Sequence, residues 1–249
     1  MTGVPNLIPT LIGVAALAAI TIAVLWGSRT PHPSAPALAI LRGAAQLAVI
    51  SVILGGVITS PLWVSVALLL MFGVAAVTAT RRLHWSWNHF GLVAAAMGAG
   101  VLVTLLVVFS TGAIEFTPRY ALAIGGIVIG NAMSIATLAG RRLTESVNDH
   151  WDQVEGWTAL GATPRQSTLA LARDAVYSAL IPATDQTKTT GLVTLPGAFV
   201  GAIFGGSSPL EAGRFQVVVL ASIMAAGAVT AVVLVRALAP VRMRPAALG

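Results

Sequence analysis

The side chains that could bind a metal or move a proton are few: four histidines, His32, His84, His89 and His150, and eight carboxylates in 249 residues. No histidine stands at a ligand spacing such as His-Glu-x-x-His, and no Gly-x-x-x-x-Gly-Lys-Ser/Thr phosphate loop is present. The absence of cysteine removes disulfides, thiolate metal sites and a cysteine nucleophile. His84 and His89 share a stretch with Trp85 and Trp87, where anchoring at a lipid headgroup level is the simpler role. Nothing here supports catalysis, and no metal ligand set can be assigned. The chain reads as a non-enzyme that binds no cofactor; if ATP drives it, ATP and Mg²⁺ sit on another subunit.

The remaining polar residues of interest lie in apolar surroundings. Arg42 and Gln46 are one helical turn apart and share a face. Asn131 and Met133 fall in mid-span, and intramembrane polar groups need a partner or a water-filled space. For Gln46 and Asn131 a structural hydrogen bond between helices serves equally well. Glu115 could bind a cation at an exit or pair with Arg119. Asp185 and Lys188, placed at the inner end of the sixth span, form either a simple ion pair or a relay of movement. Pro196 and Gly197 interrupt that span, which a bilayer tolerates only where freed carbonyls meet protein or a water-lined cavity. Leu195-Pro196-Gly197 is therefore the leading pathway or hinge candidate.

The elements that position these residues are membrane helices. With 57% hydrophobic and 9% charged residues, the chain lacks the polar surface of a soluble domain, where about 25% is charged. The expected fold is all-α: one polytopic domain over residues 1–249, with about seven spans near 7–27, 37–59, 61–80, 90–111, 119–140, 186–206 and 209–236. Ser60-Pro61 and Thr117-Pro118 put a capping hydroxyl before a first-turn proline, and Ser208-Pro209-Leu210-Glu211 is a capping box. With the amino terminus outside, 12 of the 14 Lys and Arg fall on the inner side, which supports an odd span count and a cytoplasmic carboxyl terminus. The net charge of +6 follows from that bias and not from a nucleic-acid surface. The first apolar run reads as a retained span in the plasma (inner) membrane.

Glycines four apart mark two helical faces, Gly197, Gly201 and Gly205 in the sixth span and Gly126 with Gly130 in the fifth. Helix packing within one subunit is the first interpretation and a permease dimer interface the second.

One long loop, about 141–185 on the cytoplasmic side, holds with its flank to Lys188 11 of the 22 charged residues. Within it, a short helix from about Trp151 should end at Gly161 in a left-handed cap, and Thr163-Pro164-Arg165-Gln166 should box-cap a second helix over about 164–183. Arg173 and Asp174 keep that second helix at the inner surface, because a charge at the bilayer centre costs about 3 kcal/mol. Pro182 should end or kink it. Trp157 and Leu160 share one face of the first helix. A protrusion with an apolar face and acidic flanks, Asp149, Asp152 and Glu155, suits docking in a groove of another protein better than resting on an anionic leaflet.

Glu155 and Gly161, five residues between them, resemble the coupling motif of ABC importer permeases, although Gly156 stands for an alanine and the following proline is displaced to Pro182. A closer resemblance runs through Arg42 with Gln46, Gly112-Ala113-Ile114-Glu115-Phe116, Gly130-Asn131-Ala132-Met133, Leu160-Gly161-Ala162-Thr163-Pro164, Arg173-Asp174, and the run from Ala179 to Gly197. These look like the FetB-type ABC permeases. The resemblance implies a homodimeric permease paired with a separate ATP-binding subunit through Glu155, Trp157, Leu160, Gly161, Ala162, Thr163 and Pro164. It implies iron export in bacterial members, and aluminium tolerance or sugar-nucleotide transport in plant relatives. The competing reading, a self-sufficient secondary transporter or channel, needs inverted repeats and a relay of buried carboxylates, and neither is evident.

Overall fold

The computed structural model describes residues 7–57 and 60–246, with the side chains of residues 7 and 52–57 excepted. The end of the expected second span, residues 58 and 59, lies outside the described residues. The described chain is helical: α1 (Leu7–Gly27), α2 (Ala35–Val57), α3 (Pro61–Arg82), α4 (Trp87–Ser110), α5 (Pro118–Asp149), α6 (Trp151–Ala159), α7 (Pro164–Ser167), α8 (Leu169–Thr189), α9 (Gly197–Phe204) and α10 (Pro209–Leu238). Five of these, α1, α3, α4, α5 and α10, are long and apolar enough to cross a membrane, and α2 is apolar from Ala35 to Ser51. This is a polytopic all-α membrane protein. Contacts divide it into two compact units, Met1–Ile58 and Thr59–Gly249. The first is the α1–α2 pair, which carries Arg42 and Gln46; the second holds α3 to α10.

Local chemistry starts most of these helices. Ser86 accepts from the His89 N–H at α4, Thr117 accepts from the Tyr120 N–H at α5, and Ser208 with Glu211 completes a reciprocal capping box at α10. Ser60 is an exception to expectation: it precedes Pro61 in extended conformation, but its side chain makes no capping bond.

The second unit packs through small residues. Ala75, Ala76 and Ala79 of α3, Ala96 of α4, Ala132 and Ala136 of α5 and Ala226 of α10 are buried around Met97, Ile124 and Leu234. A side chain on Gly100 would strike Thr230 Oγ1 and the Ala226 carbonyl, so α4 and α10 touch backbone to backbone there. Gly125 and Gly140 receive Leu68 and Leu83 of α3 and its end, and Gly126 meets Met71. These close approaches include Gly100, Gly125, Gly140 and Gly227, which the four-residue spacing of glycines did not single out. Conversely, nothing lies within 4 Å of where a Cβ would stand on Gly130, Gly197 or Gly201, and Gly205 meets only carbonyls of its own helix.

Three expectations need correction. The loop expected from Arg141 begins as helix: α5 continues to Asp149 with Leu143 and Val147 buried against α8 and α10. The helix expected over 164–183 breaks at Thr168 (φ −107°, ψ 2°), and α8 then runs through Pro182 to Thr189. Pro182 costs one backbone bond, but Ala172, Ala175 and Ala179 form a buried small-residue ridge that holds α8 against α5 and α10 ahead of the proline. The sixth span, expected over 186–206, is interrupted at Pro196 as expected, but its bounds differ: α8 to Thr189, a turn over 190–196 and the eight-residue α9 take its place.

The depth of α8 also differs. At one end, the Thr168 hydroxyl donates to the Ala239 carbonyl at 2.6 Å. Twelve residues on in α8 and twelve back in α10, Leu180 and Ile135 close around Gly227. Equal spacing in opposite directions makes α8 antiparallel to α10, so it lies along the bundle and not across its end. Continuing at about 1.5 Å per residue, Asp185 falls level with Ser222, in the middle of the 30-residue α10.

Candidate functional site

The α6–α7 hairpin caps one end of the second unit. Gly161 has φ +92°, the Ala162 N–H donates to the Trp157 carbonyl at 3.0 Å, and the Gly161 N–H donates to the Thr158 carbonyl at 3.0 Å. This paired pattern is a Schellman cap, and it needs a residue that accepts the left-handed region. Thr163 then starts α7: its N–H donates to Gln166 Oε1 at 2.8 Å, and the Gln166 N–H donates to Thr163 Oγ1 at 3.4 Å. Two back-to-back caps leave Leu160 to Thr163 little freedom. Val154 is buried and anchors α6, while Glu155, Trp157 and Leu160 are exposed, Leu160 at 81%.

A strap not signalled by the sequence supports this hairpin. After α10, Ala239 accepts from Thr168, and the Arg244 guanidinium donates to the Asn148 carbonyl at 3.2 Å. Val241 and Arg242 share a cavity of about 570 Å³ with Trp151, Glu155 and Thr158. In the sequence Arg242 and Arg244 carry only the general basic bias; their contacts need the bundle to bring residues 96 positions apart together.

The second feature is the interruption between α8 and α9. Gly191 (φ +88°) turns the chain, its N–H donates to the Thr194 carbonyl at 2.8 Å, and the Thr189 carbonyl accepts from Val193 at 2.9 Å. Pro196 ends the turn in extended conformation and Gly197 opens α9. The hydroxyls of Thr187, Thr189 and Thr190 turn back on the carbonyls of their own helix. Asp185 and Lys188 form an exposed pair at 3.3 Å. These two were expected at the inner end of the span; continued along α8 they fall level with the middle of α10 instead, one turn before the break.

The other candidates are dispersed. Asn131 Nδ2 donates to the Ile127 carbonyl at 2.9 Å, a bond within its own helix, and Met133 packs on the core of α3, α4, α5 and α10. Arg42 and Gln46 are exposed on α2 in the first unit. Glu115 is exposed and makes no ion pair with Arg119 among the described residues; it lines a cavity of about 360 Å³ with Tyr120, Ala202, Ser207, Glu211 and Arg214. That cavity brings the far end of α9 to the bundle end opposite the hairpin. Among the described residues no three His, Asp or Glu side chains gather as a metal-binding group.

The profile of the uncharacterised protein family UPF0014 matches residues 8–241, which takes in both features. The chain belongs to this family. It is similar to the UPF0014 membrane protein STAR2 of Oryza sativa subsp. japonica, with 36% identity over 219 residues, 87% of this chain and 77% of the relative. It is also similar to Protein ALUMINUM SENSITIVE 3 of Arabidopsis thaliana, with 36% identity over 170 residues, 68% and 62% of the two chains. A bacterial relative is the probable iron export permease protein FetB of Escherichia coli (strain K12), with 35% identity over 161 residues, 64% and 61% of the two. No solved structure matches. These relatives agree with the resemblance to FetB-type permeases, and with the long apolar helices they make this chain a multi-pass membrane protein.

Proposed function

We propose that this chain is the membrane-spanning subunit of an ABC transporter, present as two copies and driven by a separate ATP-binding subunit that docks on the α6–α7 hairpin. The observation that carries the proposal is the hairpin itself: a doubly capped protrusion that exposes Trp157 and Leu160 beside Glu155 at the end of the bundle. Its connections suit coupling. α5 leads into it, α8 leads out, and α8 ends at the mid-depth break. Movement of docked ATPases would displace α8 along α5 and α10 and change the turn at 190–196, alternating the opening of a pathway. Nucleotide and Mg²⁺ belong to the partner; this chain supplies coupling and selection.

The basic bias supports the orientation: within the second unit Arg141, Arg142, Arg165, Arg236, Arg242 and Arg244 belong to the hairpin end, so that end is read as cytoplasmic in the plasma membrane, with the amino terminus outside. Thr168 lies at the hairpin end and Ser207 at the opposite end, which supports reading α8, the turn and α9 together as one passage.

The E. coli relative, named as a probable iron export permease, favours iron as the exported cargo. The Arabidopsis relative, named for aluminium sensitivity, favours a different substrate on the same architecture. Capture of tagged full-length chain from membranes should bring down an ATP-binding subunit, and Trp157→Ala with Leu160→Ala should lose it. Capture indifferent to both substitutions removes the docking site. Cellular iron under iron load, measured with and without the chain, should rise in its absence; unchanged iron removes the cargo and leaves the permease.

A further inference from the structure

The turn between α3 and α4 is firmly built, yet it presents side chains that nothing else in the described chain answers. Leu83 fills the space that a Cβ on Gly140 would need, which seats the turn on α5 at the hairpin end. His84 takes φ +65°, His89 Nδ1 donates to the His84 carbonyl at 3.0 Å, and Ser86 caps α4. Held out from this frame are Arg81, Arg82, Trp85 and Trp87, all exposed. The rings of Trp85, Trp87 and Phe90 pack on one another at 5.5, 5.9 and 6.2 Å, but Trp87 stays 76% exposed.

Neither guanidinium of Arg81 and Arg82 makes a hydrogen bond or ion pair among the described residues. The first acidic residue of the chain is Glu115, so α3 and α4 supply no counter-charge. The neighbouring elements add more positive charge. Arg141 and Arg142 follow Gly140, and Arg242 shares a cavity of about 380 Å³ with Leu83, His89 and Thr144. Glu145, the first acid along α5, is already paired with Arg142 at 3.2 Å. The dipole of α3 favours basic residues in its last turn, but it does not account for the indoles beside them.

Depth says what meets this surface. Exposed Leu69, Leu70 and Val74 on α3 and Leu102 and Leu106 on α4 make faces at home in hydrocarbon. Arg81 lies seven residues beyond Val74, which is about 10 Å along the helix. The turn therefore stands at the headgroup level of the leaflet on the hairpin side. Indoles settle at that level and arginine side chains extend to it.

We propose that Arg81 and Arg82, framed by Trp85 and Trp87, bind the headgroup of an anionic phospholipid in that leaflet. The phosphate meets the two guanidiniums, the glycerol region lies against the indoles, and the acyl chains run along α3 and α4. A free phosphate would use only the first of these contacts. A protein partner fits less well: the surface proposed to dock the ATP-binding subunit has the opposite sign, with Asp149, Asp152 and Glu155 on its flanks. The lipid site needs neither a second copy nor an ATP-binding subunit, so it is tested apart from the transporter reading.

The purified full chain is titrated with dioleoyl phosphatidylglycerol and, in parallel, with dioleoyl phosphatidylcholine, and bound lipid is counted by native mass spectrometry. The parent should retain phosphatidylglycerol in preference. Arg81→Gln with Arg82→Gln should weaken that retention by at least about fivefold, the factor that one basic residue contributes at an anionic surface. Arg165→Gln with Arg236→Gln removes the same charge elsewhere on the hairpin end and should leave retention unchanged. Arg81→Lys with Arg82→Lys should keep most of it. Brominated phosphatidylglycerol should quench a larger fraction of the parent's tryptophan emission than of a Trp85→Phe, Trp87→Phe variant, a measurement that needs no arginine variant to fold. Equal retention of phosphatidylcholine, an equal loss in both glutamine pairs, or an equal quenched fraction overturns the site. Inorganic phosphate that displaces phosphatidylglycerol at equal concentration overturns the lipid in favour of a plain anion. Loss of ATPase capture in Arg81→Gln with Arg82→Gln, with lipid retention intact, gives the surface to the ATP-binding subunit instead.

Discussion

The Thr168 hydroxyl donates to the Ala239 carbonyl at 2.6 Å, joining the start of α8 to the end of α10 across 71 positions of chain. Thr168 is fully buried and its single proton is shared with the Pro164 carbonyl at 3.1 Å, so one hydroxyl ties the hairpin, α8 and the carboxyl-terminal strap together. Thr168→Val keeps the shape and strands the Ala239 carbonyl. The expected loss is about 1–3 kcal/mol, read as a lower unfolding midpoint in detergent. Thr168→Ser should retain most of the stability. Equal midpoints for valine and parent would show that the bond holds nothing.

Gly161 carries a different kind of constraint. Nothing lies within 4 Å of a Cβ built there, so steric crowding is not the issue; its φ of +92° is. Gly161→Ala should cost about 1 kcal/mol of local stability through the backbone alone. Because the hairpin is short, that cost loosens the cap rather than unfolding the bundle. ATPase capture should weaken while the bulk unfolding midpoint stays within about 0.5 kcal/mol of the parent. Gly161→Asn, which accepts the left-handed region more readily, should recover part of the capture.

The hairpin was legible in the sequence because its determinants are local. A glycine able to end a helix and a Thr-Pro-x-Gln box two residues on specify both caps without help from the rest of the fold. The course of α8 was not legible for the same reason in reverse. Its local signals, Arg173-Asp174 and Pro182, argue against a buried helix, and they are outweighed by Ala172, Ala175 and Ala179 seated on α5 and α10. Asp185 and Lys188 were noticed, but their depth depends on where α8 begins, which Thr168 and Ala239 decide. Glycine spacing misled in a similar way: a four-residue repeat shows a shared face, not what that face meets.

Gly100 tests that last distinction. Its missing Cβ position is occupied by Thr230 Oγ1 and the Ala226 carbonyl, and the carbonyl belongs to a helix that cannot yield without shifting. Gly100→Ala should destabilise by about 1–3 kcal/mol through overpacking. Gly130→Ala meets nothing and should be neutral or stabilising by up to about 1 kcal/mol from helix propensity. Unfolding midpoints of the two purified variants decide the matter. The reverse order would mean that Gly130 packs against something outside this chain.

Asp185 and Lys188 were open to two interpretations, a structural pair or a moving part, and a double-mutant cycle separates them. An ion pair this exposed is worth about 0–1 kcal/mol, so Asp185→Asn and Lys188→Gln should each leave the chain inserted and stable. Were the pair merely structural, removing both charges would restore whatever one removal disturbed, because no lone charge remains. Both side chains are exposed beside the break, and in the proposed transporter each contributes its own polarity to the pathway. Transport in membranes should therefore fall in both single variants and stay low in the double. Recovery of transport in the double variant would return the two residues to the role of a simple pair.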